Sequence, residues 1–146
     1  MSLDLDQIDL VSADPEASLE FYRRLGVEIP DEAVWRTGTG VHHIDVTLPS
    51  GVILHIDSVT LADHYDAGWR GQQPAGPSII LNFKVDDRSQ VDELHDRMME
   101  HGYASAQQPY DAFWGARYAI IVDPDGNHVG IMSPSDRVAA TAPPSL

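Results

Sequence analysis

The sequence predicts an α+β fold in which one unit, a strand, a helix and then further strands, is written twice. Three observations carry that reading. Two segments space apolar residues at a helical period between a capping aspartate and a glycine, DPEASLEFYRRLG at 14–26 and DRSQVDELHDRMMEHG at 87–102. Short alternating runs rich in β-branched residues precede and follow each of them. The two aspartates, Asp14 and Asp87, stand 73 residues apart. A period this long, present only twice, marks a pseudo-symmetric pair and not a solenoid.

Residues 5–13, LDQIDLVSA, alternate as a strand. Asp14 suits the N-cap of the first helix and Pro15 its first position. Leu19, Tyr22 and Leu25 form the core-facing stripe with Phe21 beside it, and Gly26 closes the helix. VHHIDVTLP at 41–49 and GVILHIDS at 51–58 read as strands, with Pro49-Ser50-Gly51 between them as the hairpin signal. Residues 60–78, TLADHYDAGWRGQQPAGPS, read as a connection that need not form regular structure; Tyr65 and Trp69 are available there to pack on a partner or over a pocket.

The second unit opens with a strand over Ile79–Asp87. Its helix turns Val91, Leu94 and Met98 inward and ends at Gly102, with His95 and His101 expected on exposed positions. A segment around 103–107 adds a strand, and ARYAIIVDPDGNHVGIMSP at 116–134 is a strand, a turn and a strand. The tail, 135–146, is expected to be mobile.

A chain of 146 residues with 42% hydrophobic content can bury a real core as one domain. It has no cysteine, which excludes disulfides and thiolate ligands or nucleophiles. Its formal charge is -14, from nine Lys+Arg against 23 Asp+Glu, with Lys84 the single lysine. A phosphate backbone would repel it, so nucleic acid is not an expected partner, whereas cationic small molecules would be attracted. The start, MSLDLDQIDL, lacks the basic flank and apolar run of a signal peptide, and no apolar stretch reaches the roughly 18–20 residues that span a bilayer. A cytoplasmic protein with no membrane partner is the expectation.

Strand alternation sorts the first unit into two faces. Ile8, Leu10, Ile44, Val46, Leu54 and Ile56 take the apolar side and cover the helix. Gln7, Asp9, His43, Asp45, His55 and Asp57 take the other, a half-polar concave face of the kind that encloses a ligand. The matching face of the second unit would present Ile80, Asn82 and Lys84, then His128, Gly130 and Met132.

This repeat, with VSADPEASLEFYRRLG at 11–26 and YAIIVDPDGNHVGIMSP at 118–134, resembles the vicinal oxygen chelate superfamily, also called the glyoxalase, bleomycin-resistance and extradiol-dioxygenase superfamily. The resemblance covers about residues 3–134, with module one at about 3–59 and module two at about 78–134. It implies two βαβββ modules forming a cupped, mixed eight-stranded sheet with helices outside and the ligand within. In metal-using members four ligands, generally His, Gln or Glu, come from fixed strand positions. Carried onto this chain, those positions fall on Gln7, His55, Ile80 and Gly130. Ile80 has no lone pair and Gly130 no side chain, so the inherited site is degenerate and no metal cofactor is expected there. His43, Asp45, His55 and Asp57 make up a displaced alternative set for a divalent metal.

Two functions follow. The first is metal-independent binding of a small, cationic aromatic molecule, in the manner of family members that sequester antibiotics of the bleomycin and mitomycin kind. Asp9, His43, Asp45, His55 and Asp57 would line the cup; Tyr110, Phe113 and Trp114 would offer stacking rings at its rim, and Arg117 a further ligand contact. The second is a glyoxalase-like lyase or isomerase, or a dioxygenase, using the displaced metal site or a His/Asp base, with Arg117 or Lys84 as oxyanion partner. Arg117 reads equally as a salt-bridged surface residue, and Phe113 and Trp114 equally as loop packing at a dimer interface. A homodimer is what the resemblance implies.

Overall fold

The structure is a computed structural model that describes residues 1, 5–65 and 79–143. Trp69 and most of the Gly/Pro-rich connection lie outside the described residues, as do the side chain of His64 and the last three residues of the tail. The chain forms two compact units, Met1–Pro74 and Ala75–Leu146.

The first unit runs β1 (Gln7–Ser12), α1 (Pro15–Leu25), a 3-10 turn at Asp31–Ala33, β2 (Val34–Thr37), β3 (Gly40–Thr47), β4 (Ile53–Ser58) and α2 (Val59–Tyr65). The second runs β5 (Ile80–Lys84), α3 (Arg88–Glu100), β6 (Ala104–Asp111), β7 (Arg117–Val122) and β8 (His128–Met132). Strand order is β1-β4-β3-β2 in one and β5-β8-β7-β6 in the other. In each, the strand before the helix pairs parallel with the last strand, and the remaining ladders are antiparallel. The twice-written βαβββ unit is therefore present.

The strands pair as two separate four-stranded sheets, not as the single cupped eight-stranded sheet that the resemblance implied. Alternation fixes which face a side chain takes, but it carries no information on which strand edges join. Two elements also escape the sequence pattern. β2 is only four residues long, too short for a period to register. α2 begins inside the stretch read as a connection; Ser58 Oγ caps it by accepting the Leu61 N–H at 3.1 Å, and Ala62 is fully buried.

Each helix covers one sheet face. Asp14 accepts the Ala17 N–H at 3.1 Å at the start of α1. Gly26 ends the helix at φ 116°, a left-handed position that costs a residue with a Cβ more than glycine. Between them Leu19, Phe21, Tyr22 and Leu25 are buried, with Ile44, Leu54 and Ile56 beneath. Each such side chain contributes about 1.5–3 kcal/mol on leaving water. In the second unit Asp87 accepts the Gln90 N–H at 3.0 Å, and Val91, Leu94 and Met98 cover Ala119, Ile121, Val129 and Ile131.

His95 departs from expectation: it is 1% exposed, not on the solvent side, and its Nε2 meets Ser105 Oγ at 2.9 Å. Counting from Val91 to His95 and Met98 gives core spacing, a signal the polarity of histidine masks. His101 is exposed. Beyond β8, the Asp136 and Thr141 N–H groups donate to the carbonyls of Gly115 and Phe113 at 3.0 and 2.8 Å.

Candidate metal centre

Register brings five predicted residues of the first unit together. In the parallel ladder of β1 and β4, Asp9 stands opposite His55 and Val11 opposite Asp57. In the antiparallel ladder of β3 and β4, Asp45 stands opposite His55 and His43 opposite Asp57. Two adjacent rows result, Asp9–His55–Asp45 and Val11–Asp57–His43. Because neighbours in a row share a face, the carboxylates and imidazoles converge.

Their contacts are short. His55 Nδ1 lies 2.8 Å from Asp9 Oδ1 and its Nε2 lies 3.4 Å from Asp45 Oδ1. His43 Nδ1 lies 2.5 Å from Asp57 Oδ1, and the Tyr65 hydroxyl donates to Asp57 Oδ2 at 2.6 Å. Gln7 Nε2 donates to both oxygens of Asp9 at 3.0 Å. The imidazoles of His43 and His55 meet edge-on with centroids 4.6 Å apart. Gln7, Asp9, His43, His55 and Asp57, together with Leu61 and Tyr65 of α2, line a cavity of about 270 Å³. Asp57 is 2% exposed, so its oxygens meet these partners and not water.

The donor set suits a metal. One ligand atom each from His43, His55 and Asp57 lies within 4.8 Å of the others. Two imidazoles and one carboxylate with open positions are the ligand set of non-haem Fe(II) and related centres. At metal–ligand distances of about 2.0–2.2 Å, two neighbouring ligand atoms on one ion are about 3.0–3.6 Å apart, so a pair near the 4.8 Å limit closes by about 1 Å on ligation. His55 also has the outer partner that ligating imidazoles usually have, the carboxylate of Asp9. The expectation of no metal rested on Gln7, His55, Ile80 and Gly130. Of these, Gln7 and His55 line the cavity, while Ile80 and Gly130 belong to β5 and β8 of the second unit. The cluster uses His43 and Asp57 instead, two members of the displaced set. Asp45 remains at the side of His55 with its side chain 58% exposed.

In the second unit the corresponding register is Asn82 opposite Gly130 and Tyr118 opposite Met132. Asn82 thus matches Asp9, Gly130 matches His55 and Tyr118 matches His43. The Tyr118 hydroxyl donates to Asn82 Oδ1 at 2.8 Å, and burial pushes its pKa up, which keeps it a donor. A Cβ on Gly130 would stand 2.0 Å from Asn82 Oδ1 and 2.8 Å from Tyr118 Cε2. The position that the resemblance assigned to a fourth ligand is therefore filled by a neighbouring pair.

The other predicted site residues also lie in the second unit. Trp114 packs edge-on to Phe113 and Tyr118, with centroids at 5.2 and 5.6 Å, and Tyr110 lies 6.1 Å from Tyr118. Phe113 is 40% and Tyr110 36% exposed. Arg117 places Nε and one terminal nitrogen on the two Asp92 oxygens at 3.0 and 2.6 Å, and its other nitrogen 3.2 Å from Asp111. This guanidinium holds the Asp92 carboxyl below the usual carboxylate range. A depressed folded value means that the stability is present above the unfolded value of about 3.9 and is lost as pH falls through the folded one. Asp92→Asn is expected to flatten the acid limb of the stability curve, read as urea midpoints between about pH 5 and pH 2. The effect is modest, because Asp92 is 42% exposed and screened.

Residues 4–131 match the family model described as the Glyoxalase/Bleomycin resistance protein/Dioxygenase superfamily. Among solved structures, a glyoxalase/bleomycin resistance protein/dioxygenase from Nocardioides is 22% identical, with a TM-score of 0.72 over 100% of this chain and 91% of that one. A glyoxalase/bleomycin resistance protein/dioxygenase family enzyme from Burkholderia phytofirmans PsJN is 19% identical, with a TM-score of 0.74 over 90% and 98%. A lactoylglutathione lyase from Agrobacterium tumefaciens is 21% identical, with a TM-score of 0.64 over 89% and 92%. At these identities the likeness is one of fold. No curated protein matches the chain. Among the described residues, no helix is long and apolar enough to cross a membrane.

Proposed function

Since the chain belongs to the Glyoxalase/Bleomycin resistance protein/Dioxygenase superfamily, we propose that it uses a divalent metal held by His43, His55 and Asp57 for lyase, isomerase or dioxygenase chemistry on a small oxygen-bearing molecule. The observation that carries this is the convergence of two imidazoles and a buried carboxylate on one cavity. When bound, such a cation polarises a substrate oxygen as a Lewis acid. The protein's own residues do the rest. Asp9, itself held by Gln7, orients the His55 ring. Leu61 supplies the apolar wall that limits water.

Capture of a cation without a metal, placed first by the sequence, is the weaker reading. Its acidic groups are already engaged: His55 lies between Asp9 and Asp45, and Asp57 accepts from Tyr65 and meets His43. An organic cation would have to displace these contacts without the direct bonds to imidazole nitrogen and carboxylate oxygen that offset the same displacement for a metal ion.

Protein purified without chelator is expected to carry about one first-row metal ion per chain, measured by elemental analysis. Added Zn²⁺, Ni²⁺, Fe²⁺ or Mn²⁺ is expected to raise the melting temperature, with about 2.7 kcal/mol of stabilisation at a hundredfold excess over Kd. Neither effect should survive in a His43→Ala/His55→Ala double variant. A metal-free preparation whose melting is unmoved by all four ions rejects the proposal. The 2.5 Å contact of His43 and Asp57 favours one second reading, a His/Asp base. With Asp57 as acceptor, Nδ1 carries the proton and Nε2 is left to take one from a substrate. Turnover unaffected by chelators would support that reading instead.

A further inference from the structure

Tyr65 ends α2, in the stretch whose composition reads only as a connection. The helix follows β4 without a loop, since Val59 is the residue after Ser58. Its start is fixed by the Ser58 cap and its middle by the buried Ala62. The Tyr65 ring is therefore delivered to the cavity from a short capped helix, although 54% of the residue is exposed. There its hydroxyl lies 2.6 Å from Asp57 Oδ2, while Oδ1 of the same carboxylate faces His43 Nδ1 at 2.5 Å. The two oxygens of one buried carboxylate are thus divided between two partners.

We propose that Tyr65 is a positioning residue of the metal centre, whose hydroxyl holds Oδ2 of Asp57 so that Oδ1, the oxygen facing His43 Nδ1, is the one that turns to the ion. A carboxylate with one oxygen tied down ligates through the other alone, which leaves more of the ion's coordination sphere to substrate. The same hydrogen bond restrains the rotamer of Asp57, so ligation needs only the exchange of the His43 contact at Oδ1 for the ion. This inference rests on the metal reading above.

The test uses the full chain and its Tyr65→Phe variant, titrated with Co²⁺ and followed by the visible absorption of the bound ion. Wild type should bind about one Co²⁺ per chain. The variant should bind roughly 10- to 100-fold more weakly, the usual cost of losing an outer partner of a ligand. Its absorption band should also shift, because a released Oδ2 changes the number of oxygens on the ion. Loss of packing alone would leave the band of the saturated variant where it is. A variant with wild-type affinity and an unshifted band overturns the role of Tyr65 and leaves the metal reading standing. A wild-type protein that binds no Co²⁺ overturns both.

Discussion

Asp57→Ala is expected to abolish metal loading and to destabilise the protein by about 3 kcal/mol, the low end of the cost of breaking a buried charged pair. The residue is 2% exposed and accepts the Tyr65 hydroxyl while facing His43 Nδ1. Each hydrogen bond to a charged group contributes about 1.5–3 kcal/mol. The estimate sits at the low end of their sum, about 3–6 kcal/mol, because the partners, once released, regain water: the His43 side chain is 29% exposed and Tyr65 54%. Asp57→Asn separates the two roles. It keeps the shape and a carbonyl to accept from Tyr65, yet it removes the charge that a cation requires. Urea midpoints with and without added Mn²⁺ would read both. Asp45→Ala is the control: with a 58% exposed side chain 3.4 Å from His55, it should change stability by at most about 0.5 kcal/mol and keep the ion. Retention of one ion per chain in Asp57→Ala would remove the basis for the proposed centre.

The half-polar face was legible because a strand period of two leaves no freedom: given Ile8, Leu10, Ile44, Leu54 and Ile56 inward, Asp9, His43, Asp45, His55 and Asp57 must face the other way. The helix ends were equally plain, since Asp14, Gly26 and Asp87 each satisfy a local backbone requirement that sequence records directly. Legibility ended wherever the decisive partner was distant in the chain. Family positions pointed to Gln7 and His55 together with Ile80 and Gly130, whereas the cluster forms from three of the four residues of the displaced set, His43, His55 and Asp57, which the register of β3 on β4 selects over Asp45. Tyr65 had a weak signal, Ser58 as a cap with Leu61, Ala62 and Tyr65 at helical spacing, which the following Gly/Pro-rich run obscured. Nothing local predicts that Arg117 grips Asp92, because a guanidinium on a strand faces whichever carboxylate the helix above presents.

Gly130→Ala is expected to cost about 2–4 kcal/mol, more than a strand glycine normally would, because it adds overpacking to a lost hydrogen bond. The ordinary expectation is the reverse, since alanine is less costly than glycine inside a strand. Here the new Cβ would stand 2.0 Å from Asn82 Oδ1 and 2.9 Å from the Tyr118 hydroxyl oxygen, so the Tyr118–Asn82 bond must break or both side chains must move. Asn82 can swing its amide, but Tyr118 is 8% exposed and packed against Trp114. Gly130→Glu meets the same clash at its first carbon, so a carboxylate restored at the family position should add no metal affinity to the second unit. A double-mutant cycle isolates the cause. In a Tyr118→Ala background the Gly130→Ala penalty should shrink, with a coupling of about 0.5–3 kcal/mol in urea unfolding. Strict additivity would mean that the tyrosine does not fill that space, and the second unit would then offer room for the ligand it lacks.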